Sequence, residues 1–295
     1  MMAEQKLQID VARSIKEFQD ALKYLQFNKK IYQIIFRGKS FDFDSYRNYG
    51  PDDDSSLIDW KASLRAGKLL VRKYIEEKDK KVVFVIDVSD SMVFGSGEKL
   101  KCEYAAEVAL AFAYFVIGAG DKIGFVLFSN RVLSYSMPRG GLNQFSFFEQ
   151  ELTNPKIYSG PTNISTALKF VADTYEKLSA VVVLSDFLNV DKNILESLRY
   201  LSSKFETIAL IIKDNRDLEL GNVSGEFLIE DPISGEQLLI NPKIAKKFYA
   251  SYARKKERMV TEIFRKNKVD YLKLLTSEPF AFKLAYFLRE RARGV

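Results

Sequence analysis

Three short stretches of the chain are almost continuously apolar: "KVVFVID" at 81–87, "AVVVLSD" at 180–186 and "ETIALIIK" at 206–213. Strands that are buried on both faces of a parallel sheet have this pattern, whereas half-exposed strands alternate polar and apolar residues. Helical patterns separate the three stretches, including a long alanine-rich one at 99–120 that ends in glycines. Because strands and helices alternate, the sequence predicts an α/β fold in which a mostly parallel sheet lies between two layers of helices.

The remaining segments add elements around this core. The stretches 122–129 and 131–136 predict two strands that pair as a hairpin, and 226–240 predicts a second hairpin around a Pro and Gly turn. Near the N-terminus, the apolar spacing within 7–27 predicts an amphipathic helix. We therefore divide the chain into an N-terminal arm that packs on the core, residues 1–80, and an α/β domain, residues 81–295, with the hairpin as an insertion.

The composition excludes several kinds of chemistry. The chain has no histidine, which removes Ser-His-Asp and Cys-His triads and histidine-ligated zinc. Its one cysteine, Cys102, cannot form an internal disulfide and is expected to be a small buried residue. With neither a spanning apolar run nor a signal-peptide pattern, the expected location is a reducing cytoplasm. A bound metal would need oxygen ligands, which favours Mg²⁺, with Mn²⁺ or Ca²⁺ as alternatives.

Positive charge is concentrated near the C-terminus, where residues 241–295 contain fifteen Lys or Arg against five Asp or Glu. Within this region 242–268 predicts an amphipathic helix with a basic outer side. A basic helix could bind nucleic acid or an anionic surface, or simply be solvated. We expect its apolar residues to face the core, namely Ile244, Phe248, Tyr252, Met259 and Ile263. Aromatic rings buried in this way would not stack on bases, so nucleic acid is the less favoured partner.

Polar side chains follow two of the apolar stretches directly. Asp87 opens the pattern D-x-S-x-S with Ser89 and Ser91, and Asp186 follows the next buried stretch. Thr162 lies between them, in the turn sequence "SGPTN". Taken separately, each could be a polar strand end or a helix cap. A phosphoryl-transfer aspartate is a further alternative, but enzymes of that kind use D-x-D, and "GSGEK" at 95–99 lacks the glycine spacing of a Walker A loop.

As an ordered set, these five residues resemble the metal-ion-dependent adhesion site (MIDAS) of von Willebrand factor A (vWA) domains: Asp87, Ser89, Ser91, Thr162 and Asp186. The resemblance implies a vWA- or Rossmann-like three-layer sandwich and a Mg²⁺ ion held partly through water. If the loop after Asp87 is extended, its alternate side chains face the same side and can converge on one ion. Neutral hydroxyl ligands would leave the ion able to accept an Asp or Glu from a partner protein.

The segment before the first apolar stretch resembles the DUF58 family of bacterial and archaeal proteins. Its sequence, "YRNYGPDDDSSLIDWKASLRAGKLLVRKYIEE", places the family motif at Arg47, Tyr49, Asp53, Asp54, Asp59, Trp60, Arg65 and Arg72. We expect a structural role for this motif, in which a buried Trp60 indole and an Asp59–Arg65 ion pair attach the arm to the sheet. At Asp52 and Ser56 the acidic turn departs from the family pattern, which usually has a glycine and then an arginine.

The resemblance to DUF58 proteins also implies a function. It suggests a non-enzymatic, metal-dependent interaction module, an adaptor for a MoxR-type AAA+ ATPase in chaperone-like assembly. The partner, either the ATPase or another vWA protein, would supply the carboxylate that completes the metal site. The alternatives are a nucleic-acid or anionic-surface binder that uses the basic helix, and a hydrolase that depends on Asp87.

Overall fold

The computed structural model describes residues 7–27, 31–32, 35, 43–50, 58–74, 79–219, 227–230, 237–240 and 242–293. The strands are β1 (Phe43–Asn48), β2 (Leu70–Tyr74), β3 (Lys81–Asp87), β4 (Lys122–Phe128), β5 (Val132–Arg139), β6 (Ala180–Ser185), β7 (Thr207–Lys213), β8 (Phe227–Glu230), β9 (Gln237–Ile240) and β10 (Asp270–Leu275). The helices are α1 (Val11–Tyr24), α2 (Trp60–Ala66), α3 (Lys101–Gly118), α4 (Leu142–Thr153), α5 (Ile164–Thr174), α6 (Ile194–Lys204), α7 (Asn215–Leu218), α8 (Pro242–Lys266) and α9 (Ala281–Arg293).

Six of the strands form one sheet in the order β5-β4-β3-β6-β7-β10. All neighbouring strands are parallel except β4 and β5, which form the predicted antiparallel hairpin at one edge. The order reverses between β3 and β6, since the chain continues from β3 to β4 on one side and later reaches β6 on the other. Ligands of open α/β sheets bind at such a switch point, outside the carboxyl ends of the strands.

The central strands are apolar on both faces because helices cover both. On one face, Phe84 and its neighbours pack against α3, α4 and α9, and α1 packs on the outer side of α3. On the other face, Val83 and Val181 pack against α5, α6 and α8. The predicted α/β class, the three-layer sandwich and the mostly parallel central sheet are confirmed.

Helix α3 lies at the centre of the first layer and is buried around nearly its whole circumference. Its alanines allow close approach to the sheet, and Phe112 packs edge-to-face on Phe84 with ring centroids 5.6 Å apart. On its outer side, Phe115 packs edge-to-face on Phe18 of α1 at 5.9 Å. The predicted N-terminal amphipathic helix therefore contributes side chains to the main core. Cys102 is buried in α3, as expected.

The structural role expected for the Trp60 motif is wrong in its details. Trp60 leaves 63% of its surface exposed, because it is the first residue of α2 and points away from the buried side of that helix. Asp59 caps α2, accepting the Ala62 N–H at 3.0 Å and the Tyr46 hydroxyl at 3.0 Å. Among the described residues, the expected pair of Asp59 with Arg65 is not formed, and the Asp59 carboxylate is directed to the start of its own helix.

The other motif residues lie on or beside a small antiparallel sheet formed by β1 and β2. Arg47 is exposed on β1, and Tyr49 follows that strand, donating its N–H to the Leu69 carbonyl at 3.0 Å. Arg72 is a residue of β2 that pairs with Tyr46. Asp53 and Asp54 lie outside the described residues, as do Asp52 and Ser56.

The two C-terminal predictions have different outcomes. Strands β8 and β9 are antiparallel, as expected of a hairpin, although its predicted turn at Pro232 and Gly235 lies outside the described residues. Helix α8 does not bury most of the predicted stripe: Phe248, Tyr252 and Met259 are exposed by 74%, 58% and 45%. Of the other two residues, Ile263 is partly buried against the core as predicted, and the side chain of Ile244 lies outside the described residues. The helix instead buries Val260 and Phe264, since its C-terminal half is the part that packs on the sheet. None of the described helices combines the length and apolar character that crossing a bilayer needs.

Candidate metal site at the switch point

Asp87 and Asp186 emerge side by side from the sheet. Strands β3 and β6 are parallel neighbours, with Ile86 opposite Leu184, so the residues that follow lie at the same edge. Both aspartates are fully buried. The sheet therefore places two of the five predicted ligands at the switch point of the strand order.

Asp87 is the centre of a hydrogen-bond cluster. Its Oδ1 accepts the Ser89 N–H at 3.0 Å, and its Oδ2 accepts the hydroxyls of Thr162 at 3.0 Å and Ser185 at 2.7 Å. Each hydroxyl that gives its proton to the carboxylate keeps its oxygen lone pairs free for another contact. Ser185 was not among the predicted residues. Its signal in the sequence was its position directly before Asp186, at the end of a buried strand.

Ser89 and Ser91 converge, but not by the expected route. Ser89 has extended backbone, whereas Ser91 lies in a short 3-10 turn at Asp90–Met92, so the prediction of an extended loop is wrong for the second half of the motif. The turn brings the two hydroxyl oxygens to 3.2 Å from each other. Ser89 is buried, and Ser91 reaches the surface.

A reciprocal pair of hydrogen bonds joins the two loops of the site. Asp90 donates its N–H to the Gly160 carbonyl at 2.9 Å, and Asp90 Oδ1 accepts the Gly160 N–H at 2.9 Å. Gly160 has a φ of +85°, in the left-handed region that favours glycine. These two hydrogen bonds hold the loop that contains Thr162 beside Asp87. The sequence did not predict this role for Asp90.

Asp186 has a different environment from that of Asp87. Its Oδ2 accepts a hydrogen bond from the Lys101 ammonium at 2.8 Å, and its Oδ1 accepts the Leu188 N–H at 3.0 Å. Lys101 also contacts the Asp217 carboxylate at 3.1 Å, so one buried lysine bridges two acids. Burial is the largest single influence on the pKa of Asp186 and acts to raise it, but the charge and hydrogen bond of Lys101, the Leu188 N–H and the charge of Lys213 together lower it below its ordinary value. Lys101 was not among the residues predicted from the sequence.

The pKa of Asp87 is raised to about 6, first by burial and then by the negative charge of Asp186, and hydrogen bonds from Ser89 and Ser185 offset this only in part. Of the two carboxylates at this end of the sheet, only Asp186 contacts a positive charge. A divalent cation would supply the positive charge that Asp87 lacks. The oxygen donors suit a hard cation. Among the described residues no three Asp, Glu, Cys or His side chains form a group, so such an ion would depend on hydroxyl and water oxygens.

The structure therefore brings the predicted ligands together unequally. Asp87, Ser89 and Thr162 are hydrogen-bonded to one another through Asp87, and Ser91 joins them through Ser89. Asp186 lies at the adjacent strand end and acts on Asp87 by its charge, while its hydrogen bonds go to Lys101 and Leu188.

The residue after Asp186 is strained. Phe187 has a φ of +48°, a conformation that costs a bulky side chain free energy. Its N–H donates to the Ser185 hydroxyl at 3.1 Å, and its ring packs edge-to-face on Phe264 of α8 at 5.1 Å. Surrounding contacts therefore hold the strained residue in place, which is typical of a functional loop.

The family model described as "Protein of unknown function DUF58" matches residues 45–260. The chain is 26% identical over 252 residues to an uncharacterized protein of Mycobacterium tuberculosis and to one of Mycobacterium bovis, covering 84% of this chain and 78% of each relative. The region that the family model matches includes the Trp60 motif and all five candidate ligands.

Several solved structures share parts of the fold at low sequence identity. The conserved hypothetical protein BatB from Bacteroides thetaiotaomicron is 14% identical with a TM-score of 0.48, covering 72% of this chain and 99% of its own. An aerotolerance-related membrane protein from Bacteroides fragilis is 15% identical with a TM-score of 0.47, covering 73% and 100%. The SpRpn10 VWA domain is 11% identical with a TM-score of 0.38, covering 70% and 93%.

Proposed function

The chain belongs to the DUF58 family, and we propose that it is a non-enzymatic protein-interaction module whose binding depends on a divalent cation, Mg²⁺ before Mn²⁺ or Ca²⁺. Asp87, Ser89, Ser91, Thr162 and Asp186 would hold the ion. When bound, the ion would attract a carboxylate of the partner. The partner is a MoxR-type AAA+ ATPase or a second vWA protein, as the family resemblance implies.

One observation supports this proposal above the others: a buried carboxylate beneath a ring of hydroxyls at the switch point. Asp87 is fully buried, whereas Ser91 and Thr162 are partly exposed. A cation at these hydroxyls would thus have protein on one side and an open side for a ligand from another molecule. The negative charge that it needs lies behind the hydroxyls, in Asp87 and Asp186.

The same contacts give less support to catalysis. A phosphoryl-transfer site needs a second carboxylate that moves a proton, and the D-x-D position holds Ser89. The neighbouring Asp90 is hydrogen-bonded to the Gly160 N–H. Asp186 is held by Lys101, which keeps it ionised.

The decisive experiment measures binding of the full chain to the MoxR-type ATPase in Mg²⁺ and in EDTA, with wild type and Asp87→Ala. We expect the wild type to bind the ATPase in Mg²⁺ and not in EDTA, and we expect Asp87→Ala not to bind in either. The EDTA comparison uses the wild type, so it remains informative if the variant unfolds. Unchanged capture in EDTA together with unchanged capture by Asp87→Ala would show that no metal bridge exists.

A second measurement tests the metal site without a partner. Mg²⁺ at 100 times its dissociation constant should stabilise the wild type by about 2.7 kcal/mol, because it binds the folded state alone. Ser91→Ala should reduce this gain by removing one hydroxyl ligand. Ser203→Ala, which removes an exposed hydroxyl on α6, is the matched control and should leave the gain unchanged.

Exposed rings on α8 favour a second candidate, an anionic or nucleic-acid surface. Phe248 and Tyr252 lie open beside basic residues, contrary to the expectation that they are buried. Phosphate binding through this face would weaken steeply with salt, and replacing Arg254 and Lys255 by Gln would reduce the slope. If the chain does not bind single-stranded DNA at low salt, where phosphate contacts are strongest, this candidate is wrong.

A further inference from the structure

A cavity of ≈ 220 Å³ lies between the loop after β6 and helix α8. Phe187, Ile211, Tyr249 and Val260 give it a largely apolar lining. A dry cavity of about 150 Å³ is known to take up a benzene ring, so this one has room for a ring and a small polar group.

One lysine in the wall of this cavity is buried and has no ion-pair partner among the described residues. Lys213 ends β7 on the same side of the strand as Ile211, and only 6% of its surface is exposed. Its ammonium forms no hydrogen bond or ion pair with any residue that the structure describes. Burial lowers its pKa, against the opposing charges of Asp186 and Asp217. Burying an amine costs free energy that the described side chains do not return by direct contact.

The acids that line the cavity are already engaged elsewhere. Asp217 accepts hydrogen bonds from Lys101 at 3.1 Å and from the Asp214 N–H at 2.9 Å. Glu257 pairs with Lys273 at 2.6 Å. The cavity therefore presents the Lys213 ammonium without a carboxylate of its own.

A second ammonium stands at the opening. Lys256 Nζ donates to the Leu188 carbonyl at 3.3 Å and lies 4.9 Å from the centre of the Tyr252 ring. Neither contact neutralises its charge. The described lining thus offers two ammonium groups that are not paired with a carboxylate, Lys213 and Lys256.

We propose that this cavity binds an organic anion, a carboxylate or phosphate attached to an apolar or aromatic group, with Lys213 as its buried charge partner and Lys256 as a second donor. The apolar group occupies the space between Phe187 and Val260, and the acid reaches Lys213. The proposal rests on the unpartnered lysine and the cavity, and it holds whether or not a metal binds at Asp87.

The cavity adjoins the candidate metal site. Leu188, Asn189 and Lys256 also line a second, more open cavity of ≈ 320 Å³ that reaches Thr162. The anion therefore has two possible sources: a free small molecule, or an acidic residue beside an aromatic one on a protein that docks at the rim. The shared chemistry is an acid on an apolar body.

The test follows the lysine side-chain resonances of the full chain by NMR, using ¹³C-labelled lysine in EDTA so that no metal contributes. The Lys213 signal is the one lost in Lys213→Met. We expect it to shift on addition of phenyl phosphate or phenylacetate, and not on addition of benzyl alcohol, which lacks the charge. Lys256→Gln should weaken phenyl phosphate binding roughly tenfold by removing a charge-assisted contact.

Two results would overturn the proposal. One is a Lys213 signal that does not move with either aromatic anion at concentrations on the order of 10 mM, where even weak binding is visible. The other is an equal shift with benzyl alcohol, which would make the cavity apolar only. Lys192→Gln, an exposed lysine outside the cavity, is the matched control and should leave the affinity unchanged.

Three further ligands in the same NMR experiment distinguish a free small molecule from a docked protein segment. Inorganic phosphate should shift Lys213 far less than phenyl phosphate, and an equal effect contradicts the need for an apolar body. A blocked Phe-Glu dipeptide that shifts Lys213 more strongly than phenylacetate supports a docked protein segment. The reverse order supports a free small molecule.

Discussion

Asp87 and Asp186 occupy equivalent places in the fold and have opposite electrostatics. Each follows or ends a buried parallel strand, each is fully buried, and the two strands are neighbours. The pKa of Asp87 is raised to about 6, whereas the pKa of Asp186 is lowered. Asp87 has hydroxyl and amide donors, while Asp186 has the Lys101 ammonium.

The difference shows that a strand end specifies where an acid lies and not what it does. Neutral donors only partly offset the cost of burying the charge of Asp87, whereas at Asp186 the Lys101 ammonium, the Leu188 N–H and the Lys213 charge together more than offset it. The side chains that pack over the end of the sheet therefore decide the charge state of each acid. Here a lysine on α3 neutralises one acid and leaves the other to be neutralised by a proton or by an added cation.

Removing the lysine should have the largest effect. Lys101→Met leaves Asp186 and Asp217 buried without their cation, and we expect a loss of about 3–5 kcal/mol in the free energy of unfolding at pH 7. Urea unfolding followed by circular dichroism measures it. Lys122→Met, which breaks the exposed pair with Asp79 at 2.9 Å, is the control and should cost about 1 kcal/mol or less. A similar small loss for Lys101→Met would mean that the two acids do not depend on it.

Replacing Asp87 should instead increase the free energy of unfolding at neutral pH. In EDTA, the folded-state pKa of Asp87 is about 6 against an ordinary value of 3.8, so the folded chain holds this proton more tightly than the unfolded chain. The stability that the proton confers is complete below about pH 4 and is lost as the pH rises through about 6. Asp87→Asn avoids this loss of about 3 kcal/mol, at about 1.36 kcal/mol for each pKa unit.

The measurement is urea unfolding of both proteins in EDTA between about pH 4 and pH 8, the range that spans the two pKa values. The stability of Asp87→Asn relative to wild type should rise across this range. Asp20→Asn, an exposed position on α1, is the control and should show little change. A difference between wild type and Asp87→Asn that is constant with pH would mean that Asp87 does not gain its proton on folding.

The smallest effect concerns the neutral donors. Ser185→Ala removes the 2.7 Å hydrogen bond to Asp87 and should cost about 1.5–3 kcal/mol at pH 8, the range for bonds to a charged group. The cost should shrink at pH 5, where Asp87 is protonated, and unfolding at the two pH values tests this. An equal cost at both pH values would assign the effect to packing and to the lost hydrogen bond from the Phe187 N–H. Ser203→Ala serves again as the exposed control.

Much of the fold was predictable because its signals are local. Continuous apolar runs marked β3, β6 and β7, and the glycines after α3 marked its end. The N-terminal stripe also identified α1 correctly. The exposed rings of α8 and Trp60 could not be predicted in this way, because apolar spacing shows which residues share a face and not whether another layer covers that face.

The sequence predicted which polar residues lie near one another at the strand ends, but it did not predict their hydrogen-bond partners. The order D-x-S-x-S, Thr, Asp identified positions that the sheet gathers at one edge. Ser185, Asp90 and Lys101 were missed, since each acts through a partner distant in the chain: Asp87, Gly160 and Asp186. A one-sequence pattern contains no signal for such pairs.

The sequence by itself determined the α/β class and the strands that carry the two aspartates, because both follow from local apolar patterns, and the absence of histidine excluded histidine-ligated metals. Only the tertiary structure decided that Lys101 neutralises Asp186 and not Asp87, and that Lys213 lies buried with no described acid in contact with it. The physical reason is that the electrostatic energy of a buried charge depends mainly on the groups in contact with it. Those groups come from distant parts of the chain and are brought together only by tertiary packing.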